Sequence, residues 1–185
     1  MNAETALNYL KEGNEIYTGG KIFRGNISKE MRKELTENGQ KPYAVVIACS
    51  DSRVIPEVIF SAGLGELFVI RVAGNVLDDH QLGSIEYAVD HLHTKLVVLL
   101  GHTHCGAVGA AVAGGAHGYT GFITDEIRKA IGNEKDERKA SVLNVQAGVK
   151  EIRETFVHDG NPAFKDAMVQ GALYDIETGK VLWDL

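Results

Sequence analysis

A chain of 185 residues with 44% hydrophobic and 24% charged side chains has the size of one domain and enough apolar material for a core, which excludes disordered and fibrous architectures. Its 19 Lys and Arg against 25 Asp and Glu give a net charge of −6 with no block of five like charges, so nucleic acid and anionic membrane surfaces are not expected partners. The opening Met-Asn-Ala-Glu-Thr has no signal-peptide apolar region, and no run reaches the ~18 apolar residues of a membrane helix, so a cytoplasmic location is expected. In that compartment Cys49 and Cys105, the two cysteines of the chain, point to metal binding or catalysis before a disulfide.

Thr5–Tyr17 places Ala6, Leu7, Leu10 and Ile16 on one amphipathic face and predicts an N-terminal helical arm, able to pack on its own sheet or on a neighbouring subunit. Gly19-Gly20 and a polar stretch follow, so residues 1–40 read as the arm and 41–185 as the α/β core of a single domain. Three continuous Val/Ile/Leu-rich runs, Tyr43–Ala48, Leu67–Val72 and Leu96–Gly101, have the pattern of strands buried on both faces. Between them Pro56–Phe60 opens on a proline suited to a first helical turn, and Gln81–His93 carries Leu82, Ile85, Tyr87, Ala88, Val89 and Leu92 near helical spacing. Strand and helix alternating in this way predict a parallel central sheet with flanking helices. The charged segment Gly132–Lys139 reads as a solvated loop, and Ser141–Val157, with Val142, Val145, Val149, Ile152 and Phe156, as a helix. Met168–Asp175 and Val181–Leu185 form a C-terminal antiparallel hairpin turning at Gly179.

Both cysteines fall just past strand ends, Cys49 in Cys-Ser-Asp-Ser-Arg and Cys105 in Gly-His-Thr-His-Cys-Gly, and open parallel sheets bind ligands outside the carboxyl ends of their strands. With a strand order 2-1-3 the two sulfurs meet across the crevice. His102, three residues before Cys105, then completes a Cys₂His set, which in zinc enzymes leaves a fourth position open. Asp51 and Arg53 bring a carboxylate and a guanidinium beside that position. Competing readings remain at this level: His104 as the imidazole donor, two buried structural thiols, a disulfide, a Cys105 nucleophile served by a histidine, and a plain Asp51–Arg53 ion pair.

These residues resemble the β-class carbonic anhydrases, which carry C-x-D-x-R after the first strand and H-x-x-C after the third, here Cys49-Ser-Asp51-Ser-Arg53 and His102-Thr-His-Cys105. The resemblance extends to Glu66-Leu-Phe-Val-Ile-Arg71, Ala73-Gly-Asn75, Gly83-Ser-Ile-Glu-Tyr-Ala88, Gly171-Ala-Leu-Tyr-Asp-Ile176 and Thr178-Gly179, nearly the whole chain. It implies one Zn²⁺ held by Cys49, His102 and Cys105, and reversible hydration of CO₂ to bicarbonate and a proton by hydroxide formed on that zinc. It further implies that Asp51 either closes the zinc as a fourth ligand or pairs with Arg53 and frees the position. The Gly106 backbone N–H is a candidate substrate donor, and His80, His104 and His117 are candidate proton carriers. Implied architecture is a parallel core of order about 2-1-3-4 with the hairpin added, the N-terminal helix wrapped on a neighbour, and a homodimer or homotetramer with the zinc near the subunit interface.

Departures from the family also show. One branch has a tryptophan three residues before the first zinc cysteine as part of a regulatory bicarbonate pocket; this chain has Val46 there, although Arg71 matches that pocket's arginine. The plant-like branch has a substrate-bonding glutamine where Ser61-Ala62-Gly63-Leu64 offers none, and Val72 replaces an asparagine common in the family. Two other functions share the motifs: hydrolysis of carbonyl sulfide or carbon disulfide on the same scaffold, and a non-catalytic zinc protein closed by Asp51.

Overall fold

The computed structural model describes residues 1–21, 23–158 and 160–185, and the side chains of these apart from residues 157 and 158. Strand β1 (Ala44–Ala48) is buried along its whole length because β2 (Leu67–Arg71) and β3 (Leu96–His102) pair with it in parallel, one on each side. β4 (Met168–Tyr174) adds in parallel to β3, and the short β5 (Val181–Leu182) closes the edge antiparallel, giving the order β2-β1-β3-β4-β5. The expected order 2-1-3-4 is therefore found, and the first arm of the C-terminal hairpin is the fourth parallel strand. Gly179 occupies its turn with φ +73°, a conformation that favours glycine.

Successive strand residues face opposite layers, as the two-residue period requires. Val46, Ala48, Val98 and Leu100 pack with Ala6 and Leu10 of α1 (Ala3–Thr18), and with Ile59 and Phe60 at the end of α3 (Pro56–Ile59), which follows a polar second helix, α2 (Lys29–Asn38). Val45, Ile47, Val97 and Leu99 pack on Ile85, Ala88 and Val89 of α4 (Asp79–Asp90). The same cluster takes in Val145, Val149 and Ile152 of the last long helix, Glu137–His158. Between α4 and that helix lie α5 (Gly106–Val112) and α6 (Tyr119–Ile131), which makes the last helix α7. Among the described residues no helix is long and apolar enough to cross a membrane.

Several boundaries differ from the sequence reading, for local reasons. α4 starts two residues before Gln81 because the Asp78 side chain accepts from the backbone N–H groups of His80 and Gln81 while Gln81 returns a bond to Asp78 N–H. The charged Gly132–Lys139 segment is loop only as far as Asp136: the Asp136 carboxylate accepts from Lys139 N–H at 2.8 Å, so α7 already contains Glu137, Arg138 and Lys139. α2 escapes apolar patterning because it buries no residue; its signal is Ser28, whose hydroxyl caps it by accepting from Met31 N–H at 3.1 Å. α6 also escapes, since its buried positions are Gly121, Thr124, Ile127 and Ile131, two of them not apolar.

Of the two packings open to the N-terminal arm, the one on its own sheet is seen: α1 lies there with Ala6 and Leu10 wholly buried. Asn14, also buried, ties the helix down: its Nδ2 donates to the carbonyls of Ile59 and Gly179, and its Oδ1 accepts from Val181 N–H. Gly13 lets the helix backbone approach Phe60 so closely that an added Cβ would meet the Phe60 carbonyl. Gly13→Ala should therefore destabilise the chain by about 1–3 kcal/mol, the usual effect of overpacking, measured by urea unfolding.

Candidate metal centre

The parallel β1–β3 pairing sets Ala48 opposite Leu100, so the residues that follow each strand emerge side by side. Cys49 leaves β1, His102 ends β3, and Cys105 stands at the N-cap of α5. One donor atom from each, two sulfurs and an imidazole nitrogen, all lie within 4.8 Å of one another. All three residues are buried, at 5% (Cys49), 1% (His102) and 3% (Cys105) exposure, with Val108, Ala111, Ile127 and Ile131 packed around the sulfurs.

The imidazole is held in one tautomer. His102 Nδ1 lies 2.9 Å from the carbonyl of Thr103, which can only accept, so Nδ1 carries the proton. Nε2 is left as a lone pair, buried and without a hydrogen-bond partner. Thr103 is itself anchored, donating its N–H to Tyr174 O at 3.0 Å and accepting from Ile176 N–H through Oγ1 at 3.0 Å. An orphaned buried nitrogen beside two sulfurs is costly unless something occupies it, and a lone pair with two thiolates is the donor set of Zn²⁺.

The sulfurs lead to the same conclusion. Hydrogen bonding from the Cys105 thiol, assisted by the nearby His102 ring and by the N–H groups of Asp51 and Gly74, pulls the Cys49 thiol down against the opposing effect of burial. The bond it gives to Cys49, together with burial, pushes the Cys105 thiol up. Two buried thiols facing each other do not both ionise without a counter-charge, which a divalent cation supplies.

Beside the cluster, Asp51 is engaged by Arg53. Nε donates to Oδ1 at 3.0 Å and Nη2 to Oδ2 at 2.7 Å, a two-point clamp, and the Arg53 N–H donates to Oδ1 at 2.9 Å. Arg53 Nη2 also donates to the carbonyl of His104 at 3.0 Å, tying the loop after β1 to the loop after β3. The Arg53 bonds hold the Asp51 carboxyl well below the usual carboxylate range, so it stays ionised. Asp51 is thus outside the three-donor cluster, with each of its oxygens accepting from Arg53. Gly106, at the first position of α5, is exposed with open space around it. His104 is exposed and contributes its carbonyl, while His80 and His117 are exposed on the surface.

The sequence profile described as carbonic anhydrase matches residues 44–181. A carbonic anhydrase of Mycolicibacterium smegmatis is 38% identical over 97% of this chain and 92% of its own length. Among solved structures, the β-carbonic anhydrase CafA of Aspergillus fumigatus superimposes with a TM-score of 0.73 at 29% identity, covering 84% of this chain and 82% of that one. The chain belongs to the β-class carbonic anhydrases. One of two tetrameric β-carbonic anhydrases from Sordaria macrospora matches it over 97% of each chain at 29% identity and a TM-score of 0.68.

Against that family, two of this chain's departures have a structural setting. Val46, where one branch has tryptophan, is completely buried within the sheet. Arg71 is committed to the backbone of the metal loop, donating to the carbonyl of Cys49 through Nε at 3.2 Å and to that of Asp51 through Nη2 at 2.8 Å. Its part in shaping this loop is not visible in the sequence, because a guanidinium bonding to carbonyls leaves no partner side chain to recognise. The Ala73-Gly-Asn75 segment is likewise recognisable as a motif, yet its contact with Cys49 Sγ, through Gly74 N–H at 3.2 Å, is a tertiary fact.

Metal analysis of the purified chain should find about one zinc per chain. Cys105→Ser or His102→Ala should lower the affinity for zinc by at least the ~10–100-fold that loss of a mere supporting group costs, read by chelator competition.

Proposed function

We propose that this chain, a carbonic anhydrase by family, hydrates CO₂ reversibly to bicarbonate and a proton, with Zn²⁺ held by Cys49, His102 and Cys105 as its cofactor. The observation that carries this reading is the buried two-sulfur, one-nitrogen cluster set beside an ionised carboxylate that a guanidinium clamps. When bound, the ion lowers the pKa of water from 15.7 toward about 7 and so supplies a nucleophile near neutral pH. Asp51, being ionised, is an acceptor only, and its remaining lone pairs orient the O–H of that nucleophile so that an oxygen lone pair faces the carbon of CO₂. The new C–O bond sends an electron pair onto a substrate oxygen, and the exposed N–H of Gly106 is the donor placed to meet it. The proton leaves through solvent and the exposed His104, His117 or His80.

The bidentate hold of Arg53 on Asp51 favours this open arrangement over a non-catalytic protein in which Asp51 closes the metal. In this reading Arg53 gates the fourth position by keeping the carboxylate engaged. A cytoplasmic location belongs to the same proposal and rests on composition. Stopped-flow CO₂ hydration, with zinc measured on the same sample, tests it. Two thiolates donate more charge than imidazoles, so the rate should rise between about pH 7 and pH 9. The depressed Asp51 titrates far below that window: its ionised form persists at every pH above its folded value, and it contributes nothing to this rise. Arg53→Ala releases the carboxylate toward its ordinary value of about 3.9, still ionised at neutral pH, so the loss is one of position. Hydration should fall by roughly 10–100-fold. Full activity in a metal-free sample overturns the proposal, and faster turnover of carbonyl sulfide or carbon disulfide redirects it.

We also propose assembly as a homodimer or homotetramer. Phe23, Ile27, Val58 and Leu64 line an apolar groove of about 450 Å³ on the surface, and Ile27 is 63% exposed. Ile55, one turn before Val58 and two residues after Arg53, is also exposed, at 42%. Val58→Glu should shift sedimentation toward monomer and reduce hydration with it, because a charge in an apolar interface is costly.

A further inference from the structure

Behind the metal loop, the turn Ala73–Asn75 performs a task that the proposed reaction has not yet used. Gly74 has φ +69°, and each of its two backbone polar groups has a partner. Its N–H donates to Cys49 Sγ at 3.2 Å, and its carbonyl accepts from Asn144 Nδ2 at 2.9 Å, both bonds buried. Asn144, only 7% exposed, comes from α7, so a residue remote in sequence grips the glycine whose N–H touches the sulfur. Packing leaves the turn no slack. A Cβ added at Gly74 would stand 2.7 Å from Ile127 Cδ1 and 3.1 Å from Ala107 Cβ, so α5 and α6 press on the face that glycine leaves bare.

We propose that Asn144 is a positioning residue of the metal centre, holding the Ala73–Asn75 turn so that Gly74 N–H donates to the Cys49 thiolate. This rests on Cys49 being a metal ligand. A thiolate that accepts an N–H bond gives up part of its charge to that bond, so it neutralises a bound cation less completely, and its sulfur is fixed in direction. The N–H belongs to the Ala73–Gly74 peptide and the carbonyl to the Gly74–Asn75 peptide, so the hold of Asn144 on the carbonyl reaches the N–H through the φ and ψ of Gly74, adding to the restraint from packing against Ile127 and Ala107. The amide is not needed merely to fill space, because Asn144 borders an open cleft of about 230 Å³.

The test replaces zinc with the spin-half isotope of cadmium, which the same three donors bind. In the unmodified chain the Gly74 amide proton should show scalar coupling to cadmium across the N–H···S bond. In Asn144→Leu, of similar volume but without a donor, the coupling should vanish and zinc should dissociate roughly 10–100-fold faster, with far-ultraviolet circular dichroism unchanged. Asn144→Ser, which keeps a donor on a shorter arm, should fall between. Bound cadmium with no coupling at Gly74 in the unmodified chain overturns the proposal without any variant, even where a substitution prevents folding. So does an Asn144→Leu chain that keeps both the coupling and the dissociation rate. Failure to bind cadmium or zinc at all would instead remove the metal reading itself, so the two failures are distinguishable.

Discussion

Two sulfurs and an imidazole nitrogen are buried side by side at the ends of β1 and β3, and the architecture of the site follows from that constraint. Cys49 and Cys105 lie within 4.8 Å of each other and of a His102 nitrogen in a pocket otherwise lined by Val108, Ala111 and Ile127. Water cannot solvate a second charge in such surroundings, so a divalent cation is the counter-charge that the site calls for. Placing that charge between strand ends, where loops leave the sheet, keeps the rest of the core apolar and leaves one side of the cluster open to a loop. The parallel pairing of β1 and β3 is what creates the pocket, because it turns two distant stretches of chain into neighbours at the same end of the sheet.

Backbone groups do most of the orienting. A carbonyl at Thr103 sets the His102 tautomer, N–H groups of Asp51 and Gly74 meet the Cys49 sulfur, and Arg71 gathers the carbonyls of Cys49 and Asp51. Backbone atoms of tightly packed turns have little freedom, so donors aimed by them are already in place when a cation arrives. The side chains that matter in this outer layer, Asn144 and Arg71, act by holding peptides still. Their influence on the metal is therefore indirect, and each substitution among them trades rigidity for disorder without removing a ligand.

Asp51 and Arg53 work under different conditions. Arg53's side chain is half exposed, at 51%, where an ion pair adds little to stability, while that of Asp51 is only 16% exposed. The two-point geometry and the further bond to His104 O make the pair a positioning device joining the loops after β1 and β3.

Much of the molecule was legible from residue order. Unbroken apolar runs such as Ala44–Ala48 have the pattern of strands covered on both faces, and helical stretches between them favour parallel pairing, so the sheet followed from local patterns while its strand order came from the family resemblance. Cysteines and a histidine just past those strands, with Asp51 and Arg53 at fixed offsets, made the donor set readable as well. Patterning failed where burial was weak or ambiguous: α2 buries nothing, α6 buries a glycine and a threonine, and Asp136 starts a helix inside a charged stretch. It also left open how the arm meets its own sheet, which Asn14 and Gly13 achieve through contacts with residues far along the chain. Sequence by itself determined which atoms are available to bind a cation, since donor chemistry belongs to residue type and spacing. Only the tertiary structure decided which groups aim them, because Gly74, Asn144, Thr103 and Arg71 act through peptide N–H and carbonyl groups that every residue carries and that only folding brings within reach.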